Sequence, residues 1–564
     1  MLAWFKKRWT LVAVLVVLSL VLIGYVVGPM IATARRSMTA GPNVDDGFSL
    51  DAWREFLTSE TQLNAIWGSI LVSLLTVVLA GLLGTGLAIL LTRWDFPGRG
   101  ICQVLVMLPI ALPPLMGVWS FKLLFGVGGR IPFAFQEWFG IPQKELWLQG
   151  LAGVLLVHAM TMYPFFYLTV RAALSGSDVS LEEAAQSLGG SRWLVWTRVL
   201  LPLLTPALVA AGLLTFMSSM ASYTAPLLFQ YTNVMTQQIV IAKVSGDLRL
   251  ASVVATVLAL MSIVFLALIR TYEQQRRYQT QSKGGARRRQ VETGWVMKIV
   301  VAVVAVPLSI FLILPLVMIF LWSVTAKGGW LTSILPTQYT LEWYAQLFTE
   351  PGFWTPVLNS ILMSLVAVGL ALLLGVGAAY VISRLKFKGK IILDIAVMLP
   401  WALPGTVVAI NLITAFSTPS IFSGGQVMVG TFWILAIAYF VRFNPLIFRS
   451  SNAVLAQIDG NLEDAARSLG ASWWRSFVLV VLPLMRPGIM AGALLAFVDG
   501  FGEFVASVLL YTPQWVPLSI AINNENYQGN YGVGATYGMI QVVLVLIVVI
   551  VTQRSGNGRN VASI

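Results

Sequence analysis

The chain has 564 residues, of which 58% are hydrophobic and only 10% charged, and it carries a formal charge of +13. That composition excludes an ordinary soluble protein, and a lone cysteine and a lone histidine exclude a disulfide framework or a Cys/His metal cluster. The positive charge has the size of a nucleic-acid binder's but, once mapped, not the distribution.

Many uncharged stretches reach the ~20 residues that cross hydrocarbon as a helix, and the alternating strands of a membrane barrel are absent. Twelve spans are predicted, near 11–32, 66–91, 101–124, 150–172, 203–229, 249–269, 297–323, 357–383, 391–414, 430–449, 482–510 and 534–552. The first has an uncharged stretch longer than the roughly 7–15 residues of a signal-peptide core, so it is expected to be retained. Basic residues fill alternate loops: Lys6, Lys7 and Arg8; Arg93 and Arg99; Arg270, Arg276, Arg277, Lys283, Arg287, Arg288, Arg289 and Lys298; and Arg384, Lys386, Lys388 and Lys390. The intervening loops are neutral or acidic, as at Asp45, Asp46, Asp51, Glu55 and Glu60. Positive loops mark the cytoplasmic side, so both termini and the middle of the chain are expected inside. The charge thus reports topology and contact with anionic lipid, not nucleic acid. Cys102, near the inner face, is expected to serve packing.

The chain is also written twice. FSLDAW (48–53) matches YTLEWY (339–344), Arg93 matches Arg384, and MLPIALP (107–113) matches MLPWALP (398–404), all offset by 291. Farther on, LEEAAQSLGGSRWLVWTRVLLPLLTP (181–206) matches LEDAARSLGASWWRSFVLVVLPLMRP (462–487) at an offset of 281. The 291 − 281 difference places a ten-residue length change in one intervening outer loop. The fold class is therefore an all-α polytopic membrane protein of two parallel six-helix repeats, 1–272 and 295–564, joined by a basic linker at 273–294. Pro109, Pro113, Pro114, Pro400 and Pro404 interrupt helix hydrogen bonding inside spans, with helix shaping and gating both open as their role.

The second duplicated segment predicts an elbow on the inner side. Asp178 and Ser180 offer an N-cap, acidic residues occupy the first helical turn, and alanines continue a short helix. Gly189 and Gly470 supply a positive-φ end, and a tryptophan-bearing amphipathic helix follows. Pro202 and Pro483 are expected to begin the next span, where a missing N–H is tolerated. A single such loop reads as an interfacial helix; two at matched spacing read as paired docking knobs.

Glu183-Ala184-Ala185, Gly189, Val199 and Leu201-Pro202, with Asp464-Ala465-Ala466, Gly470, Val480 and Leu482-Pro483, resemble the signature of permease subunits of bacterial ABC importers. The match departs from the family at Asp464, which keeps the charge of the usual glutamate. The resemblance implies that each elbow docks on a separate ATP-binding subunit, so two such subunits bind ATP and Mg outside this chain. It also implies a periplasmic or lipid-anchored solute-binding protein and an inner-membrane location. No G-x-x-x-x-G-K-[ST] stretch is present, so the chain itself has no phosphate cradle and no enzymatic role is expected. The fused two-permease form looks most like ferric iron importers, with thiamine, polyamine, phosphonate and sugar systems as alternatives.

Ionisable residues within spans mark pathways. Asp499 and Glu503, four residues apart in AFVDGFGEFVAS, are expected on one face of the eleventh span, favouring a cationic solute. Their counterparts are Ser218 and Ser222, followed by Tyr223. Gly500 and Gly502 allow local unwinding, and no basic partner is evident within a neighbouring span. The pair can line the pathway or cap a broken helix; both readings stay open, as does a proton-coupled secondary transporter that uses the same carboxylates. His158 is expected to bond a neighbouring helix. Residues 41–62, 336–350 and the polar stretch 521–532 are candidate outer contacts for a binding protein.

Overall fold

The structure, a computed structural model, describes residues 13–41, 46–176, 180–276, 294–330, 333–384, 387 and 389–555. Lys6, Lys7, Arg8, Asp45, Asp178, Lys386, Lys388 and the linker from 277 to 293 lie outside the described residues. Regular elements among the described residues are all helical, apart from two isolated bridges, Thr39–Phe48 and Thr325–Tyr339.

In the first half, besides short turns of helix at Leu108–Ala111 and Gln143–Leu146, these helices are α1 (Ala13–Arg36), α2 (Asp51–Thr58), α3 (Glu60–Arg93), α4 (Arg99–Met107), α5 (Pro114–Phe125), α6 (Arg130–Phe139), α7 (Gly150–Gly176), α8 (Ser180–Ser187), α9 (Trp193–Met220), α10 (Thr224–Leu228), α11 (Met235–Val244) and α12 (Leu248–Arg276). The second half repeats the series without α6: α13 (Trp295–Ser323), α14 (Glu342–Thr349), α15 (Thr355–Arg384), α16 (Lys390–Ala402), α17 (Gly405–Phe416), α18 (Phe432–Leu455), α19 (Asn461–Ser468), α20 (Trp473–Phe501), α21 (Ser507–Leu510), α22 (Leu518–Tyr527) and α23 (Tyr531–Ser555). The inserted α6 accounts for the ten-residue length difference between the halves.

Among the described residues ten helices are long and apolar enough to span a membrane, and the number is up to 12 when each of two bent pairs counts as one span. The bent pairs are the third spans, which turn by 108° between α4 and α5 and by 110° between α16 and α17. Each turn falls at Leu-Pro, where Leu112 and Leu403 take the extended conformation that a following proline imposes. The interruption expected at these prolines is thus a full break: the predicted spans 101–124 and 391–414 are each two helices rather than one kinked helix.

Two further spans depart from expectation. The segments read as continuous over 203–229 and 482–510 stop at Met220 and Phe501, and short helices α10 and α21 resume after a break. The same spans begin earlier than Pro202 and Pro483 suggested. Each prolyl ring lies inside a continuous helix, preceded by a π turn at Trp196–Leu200 or Phe477–Val481. A proline provides no N–H to the carbonyl four residues back and crowds it, and the widened turn relieves that clash.

Within each half, α3 packs along α7 and α9, as α15 does along α18 and α20. The first spans cross over. Helix α1 lies on α17 of the other half, and α13 lies on α4 and α5. The two repeats therefore embrace, and no plane separates them. Small residues allow the closest approaches: a Cβ on Gly84 would lie 2.4 Å from the Tyr163 carbonyl, and one on the matching Gly375 would lie 3.1 Å from Asn444 Oδ1.

Gly84→Val should therefore destabilise the purified protein by about 1–3 kcal/mol, the usual range for overpacking, whereas Gly86→Ala, whose Cβ meets nothing within 4 Å, should not. Unfolding titrations in mixed micelles measure both; equal midpoints for the two variants would show that the α3–α7 contact does not set the packing.

Candidate functional site

The elbows fold as the sequence predicts at their tips. Gly189 and Gly470 have φ of 84° and 89°, a region that costs a Cβ-bearing residue. The next amides turn back, Gly190 N–H donating to the Ala185 carbonyl (2.9 Å) and Ala471 N–H to that of Ala466 (3.1 Å). The N-cap expected at Asp178 lies outside the described residues. Glu183, Ala184, Asp464 and Ala465 are exposed, while Ala185 and Ala466 are half-buried. Leu188 and Leu469, at matched positions, are each 90% exposed, and Leu181 and Leu462 are exposed beside them. Each elbow thus presents an acidic residue and two leucines outward, without protein cover.

The neighbouring acids do the opposite. Glu182 pairs with Arg93, and Glu463 Oε1 accepts from Arg384 Nε at 2.7 Å. Side-chain exposures of 11–22% at these four residues place both pairs away from open solvent. Sequence reasoning passed over Glu182 and Glu463 in favour of the signature glutamate position. The signal was present, because arginines at an offset of 291 and glutamates at 281 recur together.

The broken fifth spans meet where the halves meet. Tyr223 and Phe504 occupy equivalent positions, their ring centroids are 6.2 Å apart at 26°, and each is 2% exposed. On the first-half side, Pro109, His158, Ser218, Ser222, Tyr223 and Val505 help line a cavity of about 420 Å³. His158 is fully engaged there: Nε2 lies 2.8 Å from Ser222 Oγ, and Nδ1 lies 3.1 Å from Thr76 Oγ1 and 3.2 Å from Ser219 Oγ.

The second half solves the same break with charge. Glu503 lies beyond the end of α20, where Ala506 N–H donates to its Oε1 at 2.7 Å and so caps α21. Its carbonyl accepts from Ser507 Oγ (2.8 Å) and Ser519 Oγ (2.6 Å). Its other carboxylate oxygen pairs with Arg442, on α18. The expectation of two carboxylates on one helical face is therefore overturned. The helix ends between them, leaving Asp499 exposed and Glu503 buried. The expected absence of a basic partner is also corrected, because Arg442 stands within the predicted span 430–449 itself. Its guanidinium lies against Gly405 at the start of α17, where a Cβ would come within 2.6 Å of Nη1. At equivalent positions the first half has Thr161 for Arg442, Ser222 for Glu503 and His158 for Tyr439, whose hydroxyl lies 2.7 Å from Ser507 Oγ.

The stretch 521–532, read as an outer loop, is mostly helix α22, with Asn523 and Asn526 buried. It packs against α5 of the other half, as α11 packs against α17, and Trp119 Nε1–H donates to Asn523 Oδ1 at 3.4 Å. It is thus part of the seam between the halves. The other outer candidates form α2 and α14, each tied back to a first span, by Trp53 Nε1–H to Ser37 Oγ (3.1 Å) and by Trp343 Nε1–H to the Thr325 carbonyl (2.7 Å).

Residues 77–277 and 371–555 both match the family described as "Binding-protein-dependent transport system inner membrane component". The chain belongs to that family. This inner-membrane component is similar along almost its whole length to the probable ABC transporter permease protein y4fN of Sinorhizobium fredii, with 28% identity over 97% of this chain and 96% of the relative. The ferric transport system permease protein FbpB of Actinobacillus pleuropneumoniae is 27% identical over 86% of this chain and 70% of its own length. The molybdenum transport system permease protein ModB of Escherichia coli is 32% identical over 31% of this chain and 74% of its own length. The chain is thus a multi-pass permease of an ABC importer carrying two copies of the permease domain.

The Arg442–Glu503 pair sets a stability expectation for this permease. Arg442→Met strands a buried carboxylate and should cost about 3 kcal/mol, the lower end for a broken buried pair, whereas Arg442→Met with Glu503→Gln should recover most of that loss. A double-mutant cycle on unfolding midpoints measures the coupling, and strictly additive losses would mean the pair contributes nothing.

Proposed function

We propose that this permease imports ferric iron, driven by two ATP-binding subunits that dock on α8 and α19. In this reading the halves are 1–272 and 295–564, the basic linker 273–294 and both termini lie in the cytoplasm with the elbows, and a binding protein delivers solute from outside. ATP and Mg stay on the partner subunits. The observation that carries the docking assignment is the matched outward display of Glu183, Leu181 and Leu188 with Asp464, Leu462 and Leu469. An exposed leucine pair flanked by a carboxylate suits a cleft with an apolar floor and a basic rim.

For the solute, the support is the likeness to FbpB over 86% of this chain. Asp499, exposed in the last turn of α20 before the break, adds an acidic group near the cavity that Ser218 and Ser222 line. An oxyanion is the second reading, favoured by Arg442, which neutralises Glu503 beside the same break, and by the likeness to ModB. A proton relay through Asp499 and Glu503 loses support, because Glu503 is held by Arg442 and by a backbone amide.

Cells depending on this system should take up radioiron, with competition by ferric citrate and none by molybdate or spermidine. Uptake of molybdate instead, saturable and abolished by deleting this chain, would sink the iron assignment and leave the docking assignment standing. Glu183→Arg with Asp464→Arg, or Leu188→Asp with Leu469→Asp, should reduce recovery of ATPase subunits with the purified permease by about tenfold or more, as loss of a central interface anchor does. Undiminished recovery with both double variants would show that the elbows are not the docking surface.

A further inference from the structure

The acids that face inward on the elbows have a geometry of their own. Arg93 is the last residue of α3, and Glu182 sits in the first turn of α8. Arg384 is the last residue of α15, and Glu463 sits in the first turn of α19. Each cation therefore stands where a helix C-terminus favours positive charge, and each carboxylate where a helix N-terminus favours negative charge. A third element closes each joint. The Trp196 ring, in the π turn one turn into the fifth span, lies 5.4 Å from the Arg93 guanidinium carbon. In the second half, Tyr380 O–H donates to Glu463 Oε2 at 2.6 Å and accepts from Trp473 Nε1–H at 3.1 Å, with Trp473 opening α20. Arg384 Nη2–H also donates to the Ile458 carbonyl just ahead of the elbow, at 3.1 Å.

We infer that Arg93–Glu182–Trp196 and Arg384–Glu463–Trp473 are transmission joints: they bind each elbow to the second and fifth spans of its half, so that motion at the docked face reaches the pathway. This inference rests on the docking assignment above and names the residues that turn docking into movement. An elbow attached only through its flanking peptide segments could tilt under load without moving the core. Clamped at its first turn to the end of α3 or α15, it cannot move without the helix that packs along α7 and α9, or along α18 and α20. The fifth span belongs to the same joint, and it ends at the break where Tyr223 and Phe504 meet. Load on the elbow is thus delivered to the break. The roles also divide by position. Glu183 and Asp464 face outward for the partner, and Glu182 and Glu463 face inward for the frame. These inward residues are positioning residues, acting through the frame they hold.

The test uses the full complex in proteoliposomes with its own ATPase subunits and binding protein, comparing wild type, Glu182→Gln with Glu463→Gln, and the exchange Arg93→Glu with Glu182→Arg. The neutralised variant should retain its ATPase subunits in the wild-type ratio and continue to hydrolyse ATP, while solute taken up per ATP falls about tenfold, within the usual span of coupling free energies. The exchange should restore at least about half of the wild-type ratio, less than all because the reversed charges oppose the helix dipoles. Tyr380→Phe, which removes one hydrogen bond, should lose less than the neutralised variant. Unchanged uptake per ATP in the neutralised variant, or a loss that follows loss of bound ATPase, overturns the inference. Should the neutralised variant aggregate, the exchange decides: a folded exchange that couples supports the joint, and a folded exchange that does not couple overturns it. Wild-type chain that never binds an ATPase would instead overturn the docking assignment.

Discussion

A helix that stops inside a bilayer leaves backbone groups that lipid cannot satisfy, and both fifth spans of this protein stop where the halves meet. Most of what is distinctive in the structure follows from how those two ends are satisfied. In the first half, hydroxyls and one imidazole suffice: Thr236 Oγ1–H donates to the Ser222 carbonyl at 2.8 Å, and His158 reaches Ser222 Oγ. In the second, a carboxylate takes the place of the Ser222 hydroxyl and caps the resumed helix, which is a stronger acceptor but brings a charge. A charge there requires a countercharge, and Arg442 supplies it from α18. The substitutions of His158 by Tyr439, Thr161 by Arg442 and Ser222 by Glu503 between the halves are thus parts of one change.

The outer ends of the breaks are held by a duplicated bond that needs no charge. Ser69 Oγ accepts from Met235 N–H at 2.9 Å, and Ser360 Oγ accepts from Leu518 N–H at 2.8 Å, fastening α11 and α22 to α3 and α15. Those helices reach across the seam onto α17 and α5, while α1 and α13 cross in the same sense. Displacement of one half therefore cannot leave the other in place. The insert α6 adds a further tie, since Arg130 Nη2–H donates to the Trp330 carbonyl at 2.6 Å and its Nη1–H to that of Ser333 at 3.2 Å.

Sequence patterns carried the repeat, the span count and the elbows, because hydropathy, turn glycines and a fixed offset are local signals. The breaks were only half legible. Gly500 and Gly502 announced loosening, but nothing local says that Glu503 falls past the helix end rather than one turn below Asp499. Arg442 was in plain view within FVRFNP, yet its partner lies 61 positions away (503 − 442), and pairing at that distance is a property of packing. The stretch 521–532 misled for a related reason. Asparagines read as a surface loop when the chain is scanned alone, whereas here Asn523 and Asn526 are buried, Asn523 against a tryptophan 404 positions distant.

The elbows show how one short motif serves two mechanical needs. A knob that docks must expose apolar surface and charge, as Leu188, Leu469, Glu183 and Asp464 do. A knob that transmits must also be stiff relative to the core, and a helix of eight residues has little stiffness of its own. Adjacent acids meet both needs because successive residues on a helix point about 100° apart, so one can face the partner while the next faces the frame. In the second elbow, Tyr380 and the Ile458 carbonyl add hydrogen bonds to the ion pair. Those bonds lie in the half whose break carries the Arg442–Glu503 pair, so in that half the charged break and the elbow are each held by an acid that pairs with an arginine and accepts a further hydrogen bond.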